Sequence, residues 1–195
     1  MTGGKYIIAT KDNAVQIAVR NILNPNGYIF LEHCRDAVAL MRLIRSFHPE
    51  FVVVDTAMQL GELRGTLETV DDEMLCAIIL LGDYDDPVIS TLMERSNAIS
   101  SCPKPPNREL LLHTADMAVM NFKRVLALGA KLRQMTDNYE SRKQIDVAKA
   151  LLMEHEGLNE KEAYEKMRRR SMDERLTMRT VADLIIHSYK TKGKH

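Results

Sequence analysis

The sequence predicts an α/β protein that turns all-α: a doubly wound parallel sheet, then a long helix, then a small three-helix bundle. Three observations predict this. Five short apolar runs, "YIIA" (6–9), "YIFL" (28–31), "FVVV" (51–54), "CAIILL" (76–81) and the weaker "AISSC" (98–102), are separated by stretches with helical spacing. The runs are apolar throughout rather than alternating, which marks parallel strands covered on both faces. After Pro105-Pro106 the strand pattern stops, and from Asn107 to Glu156 there is no proline and one glycine, Gly129.

The first helix follows strand one in "NAVQIAVRNIL", where Val15, Ala18, Val19 and Ile22 share a face and Asn24-Pro25-Asn26-Gly27 closes the turn. The second is "DAVALMRLIRSF", capped by Asp36 and stopped before Pro49. Five strands in this rhythm suggest the flavodoxin-like order 2-1-3-4-5, whose working edge is the set of loops after the strands' C-terminal ends. The stretch 107–156, opened by Asn107, reads as one helix of about 70 Å. Part of it keeps a 3-4 repeat, Ala118, Asn121, Val125, Leu128, Leu132, Met135 and Tyr139. So narrow a stripe fits a two-stranded coiled coil, hence a homodimer joined through Val125, Leu128, Leu132, Met135 and Tyr139, with Asn121 setting the register. The alternative is a helix packing on its own domain. Gly157 ends this helix as a C′ residue would. Asn159 and Glu162 have capping-box spacing and open a short helix through "EKEAYEKMRRR". Thr177 caps a last helix, "MRTVADLIIHSY", with Val181, Leu184, Ile185 and Tyr189 expected inward. The expected domains are 1–106, a helical linker at 107–138, the bundle at 139–190 and a tail at 191–195.

The chain of 195 residues is neutral, with 27 basic and 27 acidic residues, 45% apolar and 28% charged. No window approaches 18 consecutive apolar residues, so no membrane span or membrane partner is expected, and "MTGGKYIIATKDN" does not read as a signal peptide. Cys34, Cys76 and Cys102 are odd in number, far apart and outside any metal-ligand spacing; buried free thiols in a reducing cytoplasm are the expectation. Charge is unevenly placed. Residues 1–107 carry 9 Lys and Arg against 14 Asp and Glu, whereas residues 139–195 carry 13 against 10. Within the latter, "MRRRSMDERLTMRT" (167–180) concentrates arginines. No nucleophile sits beside a His and a carboxylate in a recognisable motif, and no glycine-rich phosphate loop occurs, so an enzyme is not expected.

Residues 4–120 resemble the receiver domain of two-component response regulators. The resemblance rests on "PEFVVVDTAM", with Asp55 at the end of strand three, and "CPKPP", with Lys104 after strand five. It implies Asp55 at the phospho-acceptor position. It also implies an acidic pair after strand one to hold Mg²⁺, and a Ser or Thr after strand four. Here Thr10 and Lys11 take the places of the acidic pair, only Asp12 is acidic nearby, and Leu81-Gly82 stands where the hydroxyl belongs. Mg²⁺ needs an oxygen shell and neutralises charge in phosphoryl transfer, so the pocket of Thr10, Lys11, Asp12 and Lys104 is weakened for the cation, and no cofactor is expected. Lys11 is expected to pair with Asp55 in the metal's place. This is the pattern of a pseudo-receiver, docking to a sensor kinase or another regulatory protein.

Residues 138–190 resemble the ANTAR domain, a three-helix RNA-binding module of transcription antiterminators. The match is carried by "SRKQIDVAKALLMEHEGLNEKEAYEKMRRRSMDERLTMRTVADLII", with Ala150 where the family often has glycine. Ile145, Ala148, Leu152, Ala163, Met167, Val181, Leu184 and Ile185 read as bundle core. The polar remainder reads as the RNA face: Arg142, Lys149, Arg168, Arg169, Arg170, Ser171, Arg175 and Arg179, from three helices and the turn between the second and third. A guanidinium bonds phosphate bidentately and stacks on bases. The resemblance implies a cytoplasmic regulator that binds hairpin RNA in nascent leader transcripts, two hairpins meeting two modules. Two alternatives are a phosphorylation-activated regulator with DNA-binding output and an adaptor whose bundle binds protein.

Overall fold

The computed structural model describes residues 4–58, 60–82, 87–96 and 98–192. It divides into two compact units, Met1–Leu128 and Gly129–His195. In the first, strands β1 (Lys5–Ala9), β2 (Ile29–Cys34), β3 (Phe51–Asp55), β4 (Ala77–Leu81) and β5 (Ile99–Cys102) form one parallel sheet in the order β2-β1-β3-β4-β5. The fold class expected from the sequence is the one observed. The three central strands are buried at nearly every position, as continuous apolar runs demand.

Helices α1 (Asn13–Leu23), α2 (Ala37–Phe47), α3 (Leu60–Asp72) and α4 (Pro87–Arg95) alternate with the strands. Asp12 caps α1 by accepting from the Ala14 N–H, and Asp36 caps α2 by accepting from the Ala39 N–H. The two sheet faces collect two cores. On one, Tyr6, Ile8, Phe51, Val53, Ile79 and Leu81 meet Val15, Val19 and Leu23 of α1 and Leu111, Ala115, Ala118 and Phe122 of α5 (Arg108–Glu156). On the other, Ile7, Val52, Val54, Ile78 and Leu80 meet Leu40 and Ile44 of α2, Leu63 and Leu67 of α3 and Ile89 of α4. Asn107 caps α5 through its Oδ1, which accepts from the Glu109 and Leu110 N–H groups. The first part of α5 is tied down by Tyr28, whose hydroxyl donates to Asp116 at 2.6 Å, and by the Lys123–Glu50 ion pair at 2.7 Å.

The expected stripe on α5 therefore divides. Ala118 lies in the first unit's core, while Leu128, Leu132, Met135 and Tyr139 are exposed. The helix is continuous to Glu156, where Gly157 at φ +70° donates its N–H to the Met153 carbonyl and ends it.

The second unit is built from the end of α5 with α6 (Glu160–Asp173) and α7 (Met178–Lys192). Both halves of the Asn159–Glu162 capping box are formed. Thr177 caps α7, its hydroxyl accepting from the Thr180 N–H. Ala148, Leu152, Ala163, Met167, Val181, Ala182, Ile185 and Ile186 close the core. Two expectations need correction. Leu184 is exposed, while Ala182 and Ile186 are buried. At 100° per residue the inward face of α7 is centred between Val181-Ile185 and Ala182-Ile186, which leaves Leu184 on its flank. Helix α6 also runs past the three arginines to Asp173, so Ser171 belongs to its last turn and not to the connection. Of the expected tail, residues 193–195 lie outside the described residues, and α7 reaches Lys192. Among the described residues no helix is long and apolar enough to cross a membrane.

Candidate functional site

In the first unit the C-terminal ends of β1, β3 and β5 bring Thr10, Asp55 and Lys104 together. Asp55, 1% exposed, is among the most enclosed polar residues of the unit. Its carboxylate is saturated. The Lys104 ammonium lies 3.0 Å from both oxygens, the Thr10 hydroxyl donates to Oδ2 at 2.8 Å, and the Ala57 N–H donates to Oδ1 at 3.1 Å. The expected Lys11–Asp55 pair is corrected: Lys11 is exposed, and the ammonium set against Asp55 is that of Lys104. Position 11 opens toward solvent just before the N-cap, whereas Lys104 follows buried Cys102 and reaches back across the strand ends. Lys11, Asp12 and Lys104 do line one shallow depression beside Asp55.

The donors here do not fit a hard octahedral dication. Asp12 spends a carboxylate oxygen on capping α1, Thr10 offers a neutral hydroxyl already bonded to Asp55, and Lys104 places a positive charge against the remaining carboxylate. A second change sits after β4. Asp55 pairs in register with Leu81, so Thr56 and Gly82 lie side by side. The Thr56 hydroxyl donates to the Leu81 carbonyl at 3.0 Å, and a side-chain carbon built on Gly82 would run into the Thr56 hydroxyl. The space that a residue-82 side chain would need is thus filled by Thr56, the residue after β3. The sequence marked only the absence of a hydroxyl at position 82; its reciprocal, Thr56, is visible only once the register is known.

In the second unit the arginines separate into committed and uncommitted groups. Lys149 is the most committed, with ion pairs to Asp146 and Glu160, each at 2.8 Å; the bonds to those carboxylates raise its pKa. Arg170 pairs with Glu174 at 2.9 Å, one turn on. The Ser171 hydroxyl donates to the Leu176 carbonyl at 2.6 Å, so its proton serves the α6–α7 connection. Arg142, Arg168, Arg169, Arg175 and Arg179 are exposed, and among the described residues none of them forms an ion pair. Arg175 holds φ +52° in the connection itself. Its N–H donates to the Met172 carbonyl and that of Leu176 to the Ser171 carbonyl, the paired bonds of a Schellman motif with arginine at C′.

Residues 133–186 match the ANTAR domain. The chain carries an ANTAR domain behind a receiver-like fold. The ANTAR match takes in the end of α5, all of α6 and most of α7, and so includes every arginine of the second-unit cluster. Over 187 residues the chain is 22% identical to the transcriptional regulatory protein PdtaR of Mycobacterium tuberculosis, covering 96% of this chain and 91% of that protein. Among solved structures, the signal receiver domain of NarL from Mycobacterium tuberculosis superposes with a TM-score of 0.53 at 15% identity, covering 60% of this chain and 98% of that one. The signal receiver domain of an HD domain-containing protein from Pseudomonas fluorescens Pf-5 does so with a TM-score of 0.54 at 18% identity, covering 63% and 98%. Both likenesses concern the fold of the part ahead of the ANTAR domain.

Proposed function

We propose that this protein is a cytoplasmic transcription antitermination regulator. Its ANTAR domain grips hairpin RNA in nascent leader transcripts, and its receiver-like unit governs when. The observation that carries the reading is the set of exposed guanidinium groups, Arg142, Arg168, Arg169, Arg175 and Arg179, within a domain of a family that binds RNA. Arg170 remains a contact on this reading, because an exposed pair with Glu174 is weak and exchanges readily for phosphate. Lys149 and Ser171 act as supports, since their donors are engaged within the bundle.

The receiver-like unit works without phosphoryl transfer. An attacking carboxylate needs a free lone pair and a divalent cation to gather the donor's charge. Both Asp55 oxygens are taken up by Thr10, Lys104 and the Ala57 N–H, and the Lys104 ammonium stands where such a cation would have to approach. It is instead a docking platform for a sensor kinase or another regulatory protein. Dimerisation through the exposed stripe of α5 presents two ANTAR domains to two hairpins, and the second contact gains effective concentration from the first.

Gel-shift titration tests this. Full-length protein is titrated against RNA hairpins carrying a randomised loop on a fixed stem, with the same stem as fully paired RNA and as duplex DNA in competition. Each titration is repeated with a small phosphodonor. Expected are enrichment of particular loops, a steep fall in affinity with salt, weak competition by both duplexes, and no response to the donor. Equal capture of duplex DNA, or phosphate retained on Asp55 with a rise in affinity, would favour a phosphorylation-activated DNA-binding regulator.

A further inference from the structure

Helix α6 carries a feature that neither the bundle core nor the arginines account for. Tyr164 is 45% exposed and Met172 61% exposed, on a helix whose other side is closed by fully buried Ala163 and Met167. Tyr164, Arg168 and Met172 are spaced i, i+4, i+8, so they form one row along the helix that begins beside the buried face at Tyr164 and turns away from it toward Met172. Among the described residues, no hydrogen bond engages the Tyr164 hydroxyl and no ion pair engages Arg168. By contrast, Tyr189 of the same unit stacks on His155 and donates its hydroxyl to Glu156. Of this unit's three tyrosines, Tyr189 is used internally, Tyr139 belongs to the exposed stripe of α5, and Tyr164 is offered to solvent on α6.

We propose that Tyr164 is a stacking platform for an unpaired base of the RNA loop, with Arg168 holding the adjoining phosphate or lying over the next base. This rests on the RNA reading above and names the class of contact within it. A phosphate can accept a hydrogen bond from a tyrosine hydroxyl, but it gains nothing from the ring face or from a thioether. A splayed base has a π-face that stacks on an aromatic ring and on a guanidinium plane, and single-stranded segments are read by that combination. A protein partner would also accept exposed Tyr and Met. Arginine is itself common at protein interfaces. What favours RNA is that Arg168, Arg169 and Arg175 are exposed together and form no ion pair among the described residues, a local positive excess that a polyanion matches.

The test uses the full chain and the hairpin that wild type enriches from the randomised-loop pool, with affinity measured across a salt series. Tyr164→Ala is expected to weaken binding about tenfold, on the scale of one lost base–aromatic stack, with the slope of log affinity against log salt unchanged. Tyr164→Phe keeps the ring and recovers most of that loss; Tyr164→Leu keeps the apolar bulk and does not. Arg168→Ala instead lowers the salt slope by about one. Circular dichroism melts of each variant separate loss of binding from loss of fold, and the Phe and Leu variants preserve side-chain volume if Ala does not fold. The proposal is overturned if folded Tyr164→Ala or Tyr164→Leu binds within twofold of wild type, which would leave the row to a protein. It is equally overturned if Phe is as impaired as Leu. If wild type enriches no hairpin, the RNA reading fails first and this inference with it.

Discussion

Arg175 sits where glycine or asparagine would be cheaper. As C′ of a Schellman motif it must hold a left-handed backbone, and for a residue with a Cβ that costs on the order of 1 kcal/mol relative to glycine. The α6–α7 connection does not require a side chain there, since its bonds run from backbone N–H groups to the Ser171 and Met172 carbonyls and from the Ser171 hydroxyl to Leu176. A strained position kept as an exposed, ion-pair-free arginine is what a binding contact predicts. Arg175→Gly should raise the bundle's thermal midpoint by a few degrees, while hairpin affinity falls and its salt slope drops by about one. Calorimetry and salt-series titration of the same preparation check both halves. A variant that gains stability and binds as before would remove Arg175 from the RNA face.

At the level of elements, α5 is the one whose two ends answer to different surroundings. Its first turns are fixed by Leu111, Ala115, Ala118 and Phe122 against the sheet, and its last by Ala148 and Leu152 in the bundle. Between them Leu128, Leu132, Met135 and Tyr139 repeat at 4-3-4 spacing and are 61–70% exposed. An apolar seam of that spacing has the pattern of a coiled-coil face, and on the proposed homodimer a second copy supplies the matching seam. Leu132→Glu should convert the dimer to monomer in sedimentation. Affinity for a two-hairpin RNA should then fall at least tenfold, with affinity for one hairpin unchanged; a monomeric wild type would end the argument. The same helix shows what the sequence could convey. Its limits were readable from Asn107 and Gly157 because caps are local chemistry, as were the strands, whose continuous apolar runs admit one environment. What escaped depended on side-chain direction or on neighbours distant in sequence. Leu184 and Ile186 differ only in which side of the α7 axis they take. Lys104, not Lys11, meets Asp55 because the β5 loop folds back over the sheet's edge. Thr56 answers Gly82 only through the β3–β4 register. Ser171 was misplaced because capping by an arginine at C′ has no composition signal, unlike glycine.

At the scale of the molecule, the two units differ in chemistry that pH can separate. All three cysteines lie in the first unit and are buried, and the second has none. Burial pushes the Cys34 and Cys76 thiols up to about 12, with Asp36 and Glu32 adding to the effect at Cys34, and burial raises Cys102 as well. In the unfolded chain these thiols ionise near pH 8.5 to 9, while in the folded chain they stay neutral, so between those values the unfolded state binds fewer protons. Stability contributed by the neutral thiols is complete below pH 8.5 and drains as pH rises toward 12. For Cys34 and Cys76 together the loss between pH 7 and 9.5 is roughly 2 kcal/mol, and it falls on the sheet alone. Lys149, whose pKa is also raised, acts in the same direction in the second unit, but only above its unfolded value of about 10.4. Pulse proteolysis in urea, with peptides of each unit quantified by mass spectrometry, should show the midpoint for residues 1–128 moving down between pH 7 and 9.5. The midpoint for residues 139–192 should stay in place. Cys76→Ala should flatten the pH dependence of the first unit whatever it does to absolute stability. A joint fall of both midpoints would mean that the sheet and the ANTAR bundle unfold as one, and that the chain couples its halves more tightly than its separate cores require.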